Sequence, residues 1–264
     1  MKKVLSIAGS DSIGGAGIQA DIKTITAHRV YAMTVVTAVT AQNTLGVWEV
    51  AEMTPEFVGQ QIDCVFQDIV PDSVKVGMVA RGEIISVIAD RLVRYRAGNI
   101  VLDPVMVSTS GSKLMADDAK DVYIRDLLPL ATIITPNLSE CAVLSGMDVH
   151  TKADMMAAAK EIATMYHGAI LIKGGHLEED ASDLLYINGE MRWFEEERIN
   201  NPNTHGTGCT LSSAIACHLA AGHSIEKSVA LSKQYVTGAL RVMLNMGKGS
   251  GPLDHTHCWN SDPS

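Results

Sequence analysis

The chain has 264 residues, 47% hydrophobic and 19% charged, with a formal charge of −9 from 21 basic and 30 acidic side chains. This is ample apolar material for a buried core and excludes an intrinsically disordered chain; with no Pro/Gly/Ser-rich linker in view, one large domain over 1–264 is expected. The acidic balance, without a Lys/Arg run or a basic stripe interleaved with aromatics, argues against nucleic acid or an anionic membrane surface as the main partner.

The opening "MKKVLSIAGSDS" has too short an apolar stretch for a secretory segment, and no apolar span of 18 residues occurs, so a cytoplasmic protein is expected. Cys64, Cys141, Cys209, Cys217 and Cys258 are widely spaced without a C-x-x-C pair, which suggests neither a zinc ribbon nor a disulfide framework.

In chain order, short runs rich in β-branched residues predict strands at 3–9, 31–42, 73–78, 99–106, 131–137 and 168–175. Amphipathic stretches between and after them predict helices at 16–28, 55–67, 82–96, 116–127, 138–145, 152–166, 207–222 and 225–246. Strands alternating with helices indicate βαβ units, hence an α/β fold with a mostly parallel central sheet and helices on both faces. Ligands of such sheets sit beyond the carboxyl ends of the strands. The segments following the predicted strands, "GSDSIGGAGIQAD", "AQNTLG", "GMVARG", "DPVMVSTSG", "TPNLSE" and "KGGHLEED", gather glycines and polar residues at that edge.

Two nucleotide signatures fail. Gly15-Ala-Gly17-Ile-Gln-Ala20 matches the dinucleotide fingerprint by letter, but its glycines do not close the strand and the region about 20 residues on is apolar; a Walker A sequence is absent. A third feature lies late in the chain, where Gly206-Thr207-Gly208-Cys209 enters a helix built of small residues. The first turn of a helix has unpaired N–H groups and the positive end of the dipole, so a glycine turn leading into it offers an anion site; a turn that merely lets the chain reverse looks the same.

Together these segments resemble the ribokinase-like superfamily and, within it, the hydroxymethylpyrimidine and phosphomethylpyrimidine kinases, close to the pyridoxal kinases. The resemblance runs from "SIAGSDSIGGAGIQADIKT" through "VTAVTAQNTLGV", "VKVGMV", "VLDPVMVSTSG", "ITPNLSE" and "LIKGGH" to "NTHGTGCTLSSAIA" and "GKGSGPLDH". It implies transfer of the ATP γ-phosphoryl group to a hydroxymethyl group on a flat heterocycle, commonly followed by a second transfer to the monophosphate, in thiamine biosynthesis. A pyridoxal or pyridoxine kinase is the alternative reading. A homodimer is also implied.

By resemblance, Gly206, Thr207 and Gly208 form the anion hole and Cys209 is the base, where other branches of the superfamily carry Asp. A thiol near ~8.5 can be lowered toward neutrality at a helix start, although a small buried cysteine chosen for packing fits the same position. Asp103 and Glu140 match residues that hold Mg²⁺; read alone, they are a turn former before Pro104 and a first-turn carboxylate. Asn137, Lys173 and Thr204 match positions near the nucleotide phosphates. Gly9, Asp21, Gln42, Met78 and Val105 match the acceptor site, where the Gln42 amide fits an aminopyrimidine edge and Asp21 accepts from that same edge. Without the resemblance, Gln42 is a strand-end polar residue, Asp21 a solvated helix residue, and Met78 and Val105 core.

Two departures stand out. "SDSIGGAG" replaces the frequent "SDPSGGAG", so Ser12 and Ile13 are expected to change loop rigidity without touching binding residues. Thr109 stands where many relatives carry Lys, while 106–115 lacks a second cysteine, which favours a pyrimidine substrate.

Overall fold

The computed structural model describes residues 1–106, 115–116, 119–175, 181–195 and 198–259; Thr109 lies outside them. Nine strands form one sheet: β1 (Lys3–Asp11), β2 (Tyr31–Asn43), β3 (Gly46–Glu52), β4 (Ser73–Val76), β5 (Ile100–Leu102), β6 (Ile133–Ile134), β7 (Ala169–Ile172), β8 (Asp183–Ile187) and β9 (Glu190–Phe194). Their order is β3-β2-β1-β4-β5-β6-β7-β8-β9. From β2 to β7 every pairing is parallel, while β3, β8 and β9 are antiparallel additions at the two edges.

Side chains alternate across a strand, and here that period divides two cores. Leu5, Ile7, Ile100, Leu102, Ile134, Ile170 and Ile172 face one cluster, which includes apolar residues of α2 (Pro55–Asp68), α3 (Gly82–Arg94), α5 (Leu138–Ser145) and α6 (Lys152–Ile162). Val4, Val101, Ile133, Ala169 and Leu171 face the other, with Ile25 of α1 (Gly17–Ala27), Leu211 and Ile215 of α7 (Thr207–Ala220) and Val229 of α8 (Ile225–Arg241). The expected layering, helices on both faces of a mostly parallel sheet, is what the chain adopts. Individual helices follow their sequence cues: Thr54 accepts from the Phe57 N–H ahead of Pro55, and α3 buries Ile84, Ile85, Ile88 and Leu92 on one stripe.

Several expected boundaries move for identifiable reasons. The strands expected at 99–106 and 131–137 stop at Leu102 and Ile134, because Pro104 and Pro136 offer no N–H to a ladder. The helix expected at 116–127 is four residues of α4 (Ala119–Val122), a wide turn over Tyr123–Leu127 and a tight turn containing Pro129. Strand β3 was not expected from sequence, since its side chains are mostly exposed and it has little apolar alternation. Strands β8 and β9 were also missed, although Asn188-Gly189 between them, both with positive φ, is a strong hairpin signal.

Candidate active site

A cleft of about 1090 Å³ opens at the carboxyl ends of β1, β2, β4, β5 and β7 and the start of α7. Its floor is the 206–209 turn. Gly206 is left-handed (φ 84°), and an added Cβ would collide with the Gly15 carbonyl, so only glycine lets this turn close against the first loop. Among the described residues the Gly208 and Cys209 backbone N–H groups have no acceptor, whereas Thr207 N donates to Thr204 O. Two donors at the positive end of a 14-residue helix thus face the cleft.

Beside the turn stands a charged cluster. Lys173, just past β7, donates from Nζ to Asp103 Oδ1 at 2.8 Å; Thr135 Oγ1 donates to the same oxygen at 3.1 Å, and Ser212 Oγ of α7 to Oδ2 at 3.3 Å. Burial alone would raise the Asp103 carboxyl, but Lys173 and Lys75 hold it below the usual carboxylate range. Glu140 is 4% exposed; burial, helped by Asp103, pushes it up to about 7 against the pull of Lys173. It also closes a capping box on α5, accepting from Asn137 N at 2.8 Å while Asn137 Oδ1 accepts from Glu140 N at 2.9 Å. Asn137 bridges to Lys173 through the backbone, which ties the cap to the cluster. The Thr204 hydroxyl lies at the rim, 3.4 Å from Ser250 Oγ.

Of the five acceptor-site candidates, Gly9, Gln42, Met78 and Val105 line the cleft. Asp21 does not. It is fully buried, receives Lys75 Nζ at 2.8 Å, Ser6 Oγ at 2.5 Å and Ser213 Oγ at 2.7 Å, and Lys75 is itself 0% exposed. A carboxylate so completely engaged beneath the cleft has no lone pair free for a ligand edge, and the expected substrate contact is replaced by a buried ion pair. Ser12 is a second correction. Its hydroxyl donates to Gln42 O at 2.8 Å and accepts from Gln42 N at 2.9 Å, so it clamps the backbone of a cleft residue.

A third correction concerns Cys209. Burial pushes its thiol up to about 11, opposed by Lys75 but reinforced by the Asp21 and Asp103 carboxylates. The helix start does not bring it toward neutrality, because burial, and after it two nearby carboxylates, disfavour a thiolate.

The amino-acid sequence matches the phosphomethylpyrimidine kinase family model over residues 11–254. The chain belongs to that family. A hydroxymethylpyrimidine/phosphomethylpyrimidine kinase of Rhizobium meliloti is 46% identical over 262 residues, covering 98% of both chains. The crystal structure of phosphomethylpyrimidine kinase from Clostridium difficile superposes with a TM-score of 0.81 at 44% identity, covering 90% of this chain and 98% of that one. An ADP complex of Bacillus subtilis pyridoxal kinase superposes with a TM-score of 0.91 at 35% identity over 99% and 100% of the two chains. The fold is therefore ribokinase-like, the chain is a kinase of the phosphomethylpyrimidine family, and the backbone alone does not separate the two substrate classes.

Sequence reasoning overlooked three cleft residues of this family member. Asp11 accepts from Ile13, Gly15 and Ala16 N–H groups and from His205, holding the first loop against the turn. Asp183 and Lys233, paired at 2.7 Å, lie on the cleft wall with Ile199, Val236 and Leu240. Asp three residues before the first glycine of a glycine-rich loop was the readable signal for Asp11; the Asp183–Lys233 pair spans 50 residues and left none.

Proposed function

We propose that this protein transfers the γ-phosphoryl group of ATP to 4-amino-5-hydroxymethyl-2-methylpyrimidine and then to its monophosphate, as a single kinase domain over residues 1–264. The observation that carries the proposal is the convergence, in one cleft, of unpaired helix-start donors, the Lys173–Asp103–Glu140 cluster and the Gln42 amide. The first two suit the polyanionic triphosphate chain of ATP, and the third suits an aminopyrimidine edge.

ATP as co-substrate is supported by the ADP complex of the related pyridoxal kinase and by the apolar wall of Ile199, Val236 and Leu240, against which a base can lie. Asn137, Lys173 and Thr204 are assigned to its phosphates, with Lys173 as a point charge. Asp103 and Glu140 would hold Mg²⁺. Both offer hard oxygen and both line the cleft, a donor set that suits a divalent cation. Bound there, the ion would neutralise phosphate charge.

Within the Gly206–Thr207–Gly208 anion hole, the Gly208 N–H, together with that of Cys209, donates to the transferring group, while the Thr207 N–H is held by Thr204 O and keeps the turn in shape. Gly9, Met78 and Val105 hold the ring while its hydroxymethyl oxygen faces Cys209. As that oxygen bonds to phosphorus and the bond to ADP breaks, the hydroxyl proton passes to the Cys209 sulfur in its thiolate form. With a thiol pushed up to about 11 by burial, that form is a minor one at pH 7 in the free protein, so turnover is expected to rise with pH.

A cytoplasmic homodimer acting on small molecules completes the proposal. The dimer is supported by apolar side chains exposed on β2 and β3 and their turn: Val39 is 44%, Leu45 57% and Trp48 64% exposed. Sedimentation at micromolar concentration tests it. For the reaction, ADP release with Mg-ATP is measured with the pyrimidine, its monophosphate and pyridoxal in parallel. Higher kcat/KM for both pyrimidines is expected; preference for pyridoxal would overturn the substrate assignment.

A further inference from the structure

Gln42 stands between two groups whose protons are already committed. Its Nε2 lies 3.3 Å from His205 Nε2, and its Oε1 lies 3.1 Å from Thr40 Oγ1. On the first side, the same His205 nitrogen is 2.8 Å from Asp11 Oδ2. Asp11 accepts backbone N–H groups from Ile13 at 3.1 Å, Gly15 at 3.0 Å and Ala16 at 2.8 Å, and is an anion that cannot donate. His205 Nε2 must therefore carry the hydrogen, whether the ring is neutral or charged. An N–H cannot accept from an amide NH₂.

The second side gives the same answer independently. Thr40 Oγ1 is 2.9 Å from the Ser10 carbonyl, which can only accept, so the single hydroxyl hydrogen points there. What Thr40 shows Gln42 is a lone pair, and a carbonyl oxygen facing it would be repelled. Both conflicts are relieved together when the amide is turned by 180°: its oxygen then shares the His205 Nε2 hydrogen with Asp11, and its nitrogen donates to the Thr40 lone pair. The two ends of an amide are nearly isosteric, so the turn costs no space, and the hydrogen-bond network decides. Ser12 clamps the Gln42 backbone on both its N–H and its C=O, which fixes the point from which the side chain extends.

We infer that His205 and Thr40 are specificity-determining positioning residues: through Asp11 and Ser10 they lock the Gln42 amide with its oxygen on the His205 side, so that it presents an acceptor and a donor in one fixed order. One lone pair of Oε1 and one hydrogen of Nε2 remain for a ligand. Since His205 directly precedes the 206–209 turn, the acceptor end adjoins the phosphoryl site and the donor end lies farther away. In a ring whose hydroxymethyl group faces that turn, the neighbouring substituent must then donate and the next ring atom must accept. A 4-amino group beside an unprotonated ring nitrogen meets that demand. A 4-oxo group beside N–H reverses it at both atoms.

This inference rests on the proposed function in taking Gln42 as the ring-recognising residue. The test compares 4-amino-5-hydroxymethyl-2-methylpyrimidine with its 4-oxo analogue, by kcat/KM for ADP release, in the wild type and in Thr40→Val, His205→Leu and the double variant. Two mispaired buried hydrogen bonds each cost tenfold or more, so the wild type is expected to prefer the amino ring by about a hundredfold. Freeing the amide is expected to bring that ratio within about tenfold in the double variant, mainly by improving the oxo ring. An unchanged ratio in both Thr40→Val and the double variant would overturn the inference.

A second readout needs no ligand. Nitrogen-15 NMR of the His205 ring, assigned by its loss in His205→Leu, is expected to show a protonated Nε2. An unprotonated Nε2 would overturn the inference whatever the kinetics. If the wild type instead phosphorylates neither pyrimidine while Nε2 is protonated, the substrate assignment falls and the locked amide stands.

Discussion

Replacing Lys75 by Met tests whether Asp21 is structural. In the native chain the Lys75 ammonium and Asp21 carboxylate are both fully buried and 2.8 Å apart, with Ser6 and Ser213 completing the carboxylate's shell. Removing the cation leaves a charge with two hydroxyl donors and no counter-ion in a site without water access, which costs about 3–5 kcal/mol. For 264 residues each kcal/mol moves the melting temperature by roughly 2 °C, so a fall of about 6–10 °C is expected. The double variant Lys75→Met, Asp21→Leu removes both charges and should recover at least half of that loss, because desolvation of the pair no longer has to be offset. The assay is calorimetry at pH 7 of the wild type, the single variant and the double variant. A single variant that melts within about 2 °C of the wild type, or a double variant no better than the single, would refute the reasoning.

Glu140→Gln bears on the charged cluster. The folded-state value, about 7, lies above the ordinary 4.5, so this group's contribution to stability is fully present below pH 4.5 and is lost as pH rises through 7. Without Mg²⁺ the variant should match the wild type near pH 4.5 and exceed it by about 3 kcal/mol, or roughly 6 °C, at pH 8; a pH-independent difference would contradict this. For Cys209, kcat/KM toward the pyrimidine should climb with near-unit slope in log units from pH 7 to 9, because the thiolate fraction does; a flat profile removes the thiolate from the rate law. Cys209→Ala should lower kcat far more than it changes KM, and near-normal turnover would end the base assignment. Gly206→Ala forces a left-handed alanine into the Gly15 carbonyl, and calorimetry should show a loss of about 2–4 kcal/mol together with collapse of ADP release.

Much of the architecture was legible because it is local. β-Branched runs, the apolar stripe of α3, the Thr54 cap and the glycines around 206–208 each act within a few residues, so βαβ layering and a glycine turn at a helix start followed from sequence order. Proline misplaced the ends of β5 and β6, and the exposed edge strand β3 has no apolar period to read. The site divides in the same way. Gln42, Asp103, Asn137, Lys173 and Cys209 reach one cleft because each ends or follows a strand or opens a helix at one edge of the sheet. What only the tertiary structure decided is the surroundings each of them meets: Lys75 claims Asp21 across 54 residues, burial and then two carboxylates raise the Cys209 thiol, and Asp11 fixes the His205 proton across 194. Sequence spacing sets which face and which edge a side chain occupies, whereas its charge state and free lone pairs depend on groups brought beside it by folding.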